Sequence, residues 1–172
     1  MLQSLETTRI ALQEDHRAWM QVKIGEPADV ADGGAVKSVV TISNTGNTPA
    51  RHILVYFVLR VIENEEFFDP NTQAAPSESF TTGAMFPNEP IKVDARLLDK
   101  GRVARNISHP EYIELQAGRA YIAIYVKVQY RDVFGVDHWT QRCAFQNNIN
   151  PYSLYTSINC TEYNNIDSNY KP

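Results

Sequence analysis

Apolar side chains recur at every second position along most of this chain, the spacing that turns one face of an extended strand toward a core. Ala18, Met20, Val22 and Ile24 alternate with Trp19, Gln21 and Lys23. Val36, Val40 and Ile42 then oppose Lys37 and Thr41, ahead of SNTGNTPA at 43–50, a dense set of turn formers. Ile53, Val55, Phe57, Leu59 and Val61 share a face that no helix could assemble. The reverse face, His52, Leu54, Tyr56, Val58 and Arg60, is mostly apolar too, which predicts a central strand or one covered on both sides over part of its length. Residues 69–90 hold Pro70, Pro76, Pro87 and Pro90 and read as a long loop with a short strand around Phe80. Ile91, Val93, Ala95 and Leu97 alternate with Lys92, Asp94 and Arg96, and DKGR at 99–102 makes a tight turn.

A short helix or irregular crossing is predicted near HPEYIEL at 109–115. The clearest hairpin follows. Ala120, Ile122, Ile124, Val126, Val128 and Tyr130 line one strand, RDVFGVD turns with Gly135 free to take positive φ, and the return strand is expected to point Trp139, Cys143 and Phe145 inward. His138, Thr140 and Arg142 then face the other way. The period of two is missing at both ends. Residues 5–17 form a helix with a weak apolar stripe, marginal alone, and the Asn-, Tyr- and Ser-rich tail from Asn147 has no sustained period.

Strands without interleaved long helices predict an all-β fold, two sheets facing each other as a sandwich, with a small barrel as runner-up. The expected division is 1–17 as an amino-terminal helix or juxtamembrane segment, 18–146 as the sandwich, and 147–172 as an irregular tail packed on it. At 172 residues and 43% hydrophobic, such a domain folds without a metal or disulfide framework. The net charge of -4 gives no reason to expect nucleic acid or an anionic membrane surface as partner. No apolar run approaches the roughly 18 residues of a membrane helix, and no leader pattern opens the chain.

Candidate chemistry is sparse. His16, His52, His109 and His138 form no HExxH pair or compact metal signature. His138 stands out because Asp132, Asp137 and Cys143 are near it in the hairpin, although ordinary packing accounts for each histidine. Asp132 and Asp137 can accept N–H groups of the turn; a hard cation would need further oxygen ligands. Glu63, Glu65 and Glu66 read as a solvated acidic patch, and Gly33–Gly34 lacks the Lys-Ser or Lys-Thr of a phosphate loop. Tyr121 and Tyr125, with Lys127, line the non-core face of their strand, either as an interaction platform or buried against another strand or the tail. Asn44 and Asn47 either bond local backbone around Gly46 or contact a peptide or saccharide. Cys143 and Cys160 are two buried thiols or one disulfide; a bond there would be worth roughly 3 kcal/mol through loop closure, but spacing does not decide it.

RAWMQV at 17–22, ISNTGNTPAR at 42–51, YRDVFGVDHWTQRC at 130–143 and CTEYNNID at 160–167 occur in an order similar to that of bacterial single-domain modules with an immunoglobulin-like or fibronectin-like β-sandwich, often behind one amino-terminal transmembrane helix. In those modules the stretch matching 44–50 follows an early strand and that matching 132–135 links two late ones. The resemblance implies an extracytoplasmic module with Cys143 bonded to Cys160 and no catalytic residues; the preceding membrane helix is absent from this sequence. The expectation is therefore a noncatalytic interaction or scaffold module, without cofactor or metal. It would be periplasmic or otherwise extracytoplasmic, with a membrane tether outside this sequence as one form of that expectation, and would meet an unidentified protein partner. The alternatives are a sensor for a peptide, sugar or ion, and a cytoplasmic location. Oligomeric state is not encoded in these patterns.

Overall fold

The computed structural model describes residues 2–27, 30–63, 68–70, 77–147 and 156–167. Helix α1 (Leu2–Asp15) leads into strands β1 (Met20–Pro27), β2 (Lys37–Asn44), β3 (Ala50–Glu63), β4 (Glu78–Met85) and β5 (Pro90–Arg96). Helix α2 (His109–Gln116), the hairpin β6 (Ala120–Arg131) and β7 (Asp137–Asn147), and β8 (Thr156–Asn159) complete the order. The strands form two open antiparallel sheets, one ordered β1-β2-β5 and the other β4-β3-β6-β7-β8. The fold is predominantly β, and neither sheet closes on itself.

The alternation explains the shared core. Val22, Val40, Ile42 and Ala95 from the smaller sheet pack with Ile53, Val55, Phe57, Leu59 and the even-numbered side chains of β6 from the larger. β3 keeps its odd-numbered inner face from Ile53 to Leu59, but Ala50 is buried in the same core. The parity change falls at His52, held at φ 49°, where the register between β3 and β6 shifts. The extra residue lets Ala50 and Ile53, three apart, face one way.

The outer face of the larger sheet is also covered over part of its length, as the apolar reverse face of β3 predicts. Val58, Ile62, Ala123, Tyr125 and Cys143 form a second cluster there, closed by Phe68 and Cys160. Leu54, nearer the β6–β7 turn, stays exposed on that face.

Three expectations need correction. Register pairs Tyr130 with His138 and Ile124 with Ala144, so the inner residues of β7 are the even ones, His138 and Thr140 among them. Trp139, Cys143 and Phe145 lie on the outer face, whose apolar character serves the second cluster. The tail is not wholly irregular, because β8 pairs with β7 and residues 164–167 continue along the same edge through Gln141 N to Asn165 O and Asp167 N to Trp139 O. The helix predicted at 5–17 runs instead over Leu2–Asp15, and Leu5 and Leu12 are exposed along it. Residues 65–66 of the acidic patch, 71–76 of the long loop, and 148–155 and 168–172 of the expected tail lie outside the described residues.

Candidate functional site

The β6–β7 turn carries the one buried titratable cluster of note among the described residues. Gly135, at φ 83°, closes the turn in a conformation that a β-carbon would strain. Asp132 caps it from inside, one carboxylate oxygen accepting from the backbone N–H of Phe134 and of Val136, each at 2.9 Å. Its other oxygen lies 3.0 Å from His138 Nε2, and Asp167 Oδ2 lies 2.7 Å from His138 Nδ1. The three side chains are 3–4% exposed. The imidazole also stacks on Tyr130 at 5.3 Å between ring centres. Arg17 reaches Asp167 Oδ1 at 3.9 Å and lays its guanidinium 3.4 Å over the Trp19 ring.

This geometry fits a clasp better than a catalytic dyad. A general base needs one ring nitrogen aimed at a reacting proton, whereas both nitrogens of His138 face carboxylates and the ring is buried. Only with both nitrogens protonated does the ring donate to both neighbours. Nor do the carboxylates converge on a common point, since they approach opposite edges of the ring. Among the described residues no group of three or more His, Cys, Asp or Glu is placed to hold a metal ion. Tyr130 shares the enclosure. Burial pushes its phenol up to about 12, and its hydroxyl donates to the Ala18 carbonyl at 3.1 Å. Four segments thus meet here: residues 17–19, the hairpin turn, β7 and the tail at Asp167.

The other sequence candidates are mostly absorbed into structure. Asn44 is fully buried and uses its whole amide, Oδ1 accepting from Trp19 N and Gly46 N and Nδ2 donating to the Thr48 and Met85 carbonyls. Gly46 is required by close approach, because a Cβ there would overlap the Arg17 carbonyl oxygen and the Trp19 nitrogen. Asn47 is exposed and donates to the Asp15 carbonyl at 3.0 Å. Tyr125 is completely buried, its ring edge-on to Tyr56 and Tyr163 and its hydroxyl donating to Gln141 Oε1 at 3.0 Å. Tyr121 is half-buried against Phe145 at 4.7 Å. Asp137 pairs bidentately with Arg131 on the surface, at 2.7 and 2.9 Å.

Cys143 and Cys160 form a disulfide, with Cα atoms 5.4 Å apart. It fastens the tail onto the outer face of β7 just ahead of the 164–167 segment that the clasp secures. Sequence reading singled out Asp132 and His138 but missed Asp167 and Arg17, each distant in the chain. The Asp in CTEYNNID and the Arg in RAWMQV were within quoted fragments, yet nothing in their local spacing pointed at His138.

Open grooves among the described residues include two that border candidate residues or sheet margins. One of about 440 Å³ runs over the uncovered outer face past His52, Leu54, Gln129 and Trp139. The other, about 700 Å³, lies between the outer strands of the two sheets, beside Ser79, Phe80, Lys92, Val93 and Arg96. No known protein family and no curated protein matches the chain.

Proposed function

We propose that this chain is a noncatalytic interaction or scaffold module, an immunoglobulin-like or fibronectin-like β-sandwich acting as the extracytoplasmic part of a small bacterial envelope protein. The observation that carries this reading is the enclosure of His138. Both of its ring nitrogens face carboxylates and its side chain is 4% exposed, so the cluster is spent on fastening the tail and the hairpin even though His138 borders the 440 Å³ groove. The Cys143–Cys160 bond supports the compartment, because disulfides persist in oxidising surroundings and are rare in the cytosol. A membrane tether is part of the proposal. No helix among the described residues is long and apolar enough to span a bilayer, so the tether would lie in sequence other than these helices.

Crosslinking in native cells tests the interaction role. The full chain, carrying photo-crosslinking residues in place of Ser79 on β4 and of Gln129 on β6, is expected to form one discrete adduct from a solvent-facing position. Absence of any adduct above an unirradiated control, from both positions, would contradict the reading. A sensor of peptides is the second reading, favoured by the open grooves beside residues 77–80 and the β6–β7 turn.

A further inference from the structure

A cavity of about 180 Å³ opens on the outer face of the larger sheet, beside the second cluster. Phe68, Tyr121, Phe145 and Tyr163 line it, with Cys160 and Glu162 from the tail. Three elements bring the rings together. Tyr121 on β6 and Phe145 on β7 are diagonal neighbours across the strand pair, because Phe145 stands opposite Ala123. Phe68 crosses from the segment after β3. Phe145 lies at 70° to Tyr121 and at 76° to Phe68, so the rings meet as the walls of a corner do. Tyr163 joins from the tail with φ at 61°, a backbone conformation that a bulky residue holds only under constraint from its surroundings. Its ring is edge-on to Tyr125, its hydroxyl donates to Asp69 Oδ1 at 3.4 Å, and the Cys143–Cys160 bond fastens this wall to the sheet.

Four aromatic residues closed on one another would be ordinary core. Here they leave a space, and the charge around it has one sign. Glu162 is the only charged residue among those lining it, and its side chain makes no ion pair among the described residues. Asp69, bonded to Tyr163, places a second carboxylate beside that wall. No Lys or Arg lines the space; Arg60 shares the face, opposite Ala123, but stands outside it. Aromatic faces attract a cation through the ring quadrupole, with no hydrogen bond needed. A cation bearing N–H groups would want several acceptors, which these rings do not supply, whereas a methylated ammonium offers apolar surface and spread charge. Its head also fits, since a cavity of about 150 Å³ already holds benzene. We infer that this cavity binds the quaternary ammonium head of a choline-type ligand, its methyl groups against the four aromatic residues and its charge facing Glu162. The inference stands apart from the interaction reading, which requires no small ligand.

The test titrates the intact, disulfide-bonded chain with choline and, separately, with its neutral carbon isostere dimethylbutanol, at matched ionic strength. NMR follows the ring signals of Tyr121, Phe145 and Tyr163. Saturable shifts are expected with choline, at a Kd at least tenfold below that of the isostere, because only the cation gains the ring attraction. Glu162→Gln is expected to weaken choline binding about threefold and Tyr121→Leu at least tenfold, with thermal unfolding confirming that each variant keeps its fold. Equal binding of the isostere, no saturable shift at tens of millimolar choline, or choline binding left unchanged by either substitution each overturns the inference. Cosedimentation with phosphatidylcholine vesicles, against phosphatidylglycerol vesicles, then separates the two sources of such a head group. Preference for phosphatidylcholine assigns it to a lipid, and choline binding without vesicle binding assigns it to a free solute.

Discussion

At the scale of single residues, His138 has the largest consequence. Replacing His138 removes the partner that two buried carboxylates share, leaving Asp132 only its two backbone N–H donors and Asp167 only the more distant Arg17, a loss of about 3 kcal/mol. His138→Asn is therefore expected to lower the unfolding free energy by about 3 kcal/mol in chemical denaturation; a loss below about 0.5 kcal/mol, the range of ordinary surface substitutions, would mean the clasp carries little stability. Glu111 makes a second, pH-dependent case. Its carboxylate receives Arg105 in a bidentate pair at 2.8 and 2.6 Å and also accepts from the Ser108 backbone N–H and hydroxyl, capping α2. The Arg105 guanidinium, foremost, holds the Glu111 carboxyl down at about 2 against an ordinary 4.5. Because the folded value is the lower one, this stabilisation is complete above pH 4.5 and fades as pH falls toward 2. A carboxyl-carbon NMR titration should find the Glu111 midpoint well below the ordinary glutamate value; a midpoint near 4.5 would contradict the pairing. Asp132 was legible as a turn acceptor because its two N–H partners lie within four residues. The second half of its role was not, since Asp167 reaches His138, and Arg17 reaches Asp167, only through the fold.

At the scale of elements, the tail is the part that sequence described least well. Its lack of periodicity follows from its task, which is to lie along β7 and pair through backbone groups at Asn165 and Asp167 rather than to bury alternate side chains. The inversion of β7 has a related cause. Trp139, Cys143 and Phe145 are the more apolar set, so they read as core, but Cys143 and Phe145 join a second cluster on the outer face, closed by Phe68 and Cys160, while Trp139 lines the open groove there. The seven-residue turn, placing Tyr130 opposite His138, was the signal that outweighed hydrophobicity. Converting both cysteines to alanine should cost about 3 kcal/mol and open residues 160–167 to proteolysis ahead of the sheets; unchanged protease resistance would show that the disulfide is not what fastens the tail. Helix α1 makes the opposite prediction. With Leu5 66% and Leu12 53% exposed, it buries little, and removing residues 2–15 should change unfolding free energy by less than about 0.5 kcal/mol. A larger loss would show that α1 contributes to the fold by packing on it.

For the whole molecule, strand alternation was enough to anticipate a β-rich fold and the inner faces of β1, β2, β3, β5 and β6, because burial between two layers imposes a strict period of two. It could not give the pairing order or the openness of the sheets, as these depend on tertiary arrangement. In the function proposed above, the ionisable cluster and the cystine hold the tail in place, and the surface grooves are where a partner would make contact. We propose a disulfide-fastened module working outside the cytoplasm. Its most direct test is to quench native cells with a thiol-alkylating reagent, isolate the chain and map Cys143 and Cys160 by mass spectrometry. A single cross-linked peptide pair with neither cysteine alkylated is expected; recovery of both as alkylated thiols would overturn the proposal.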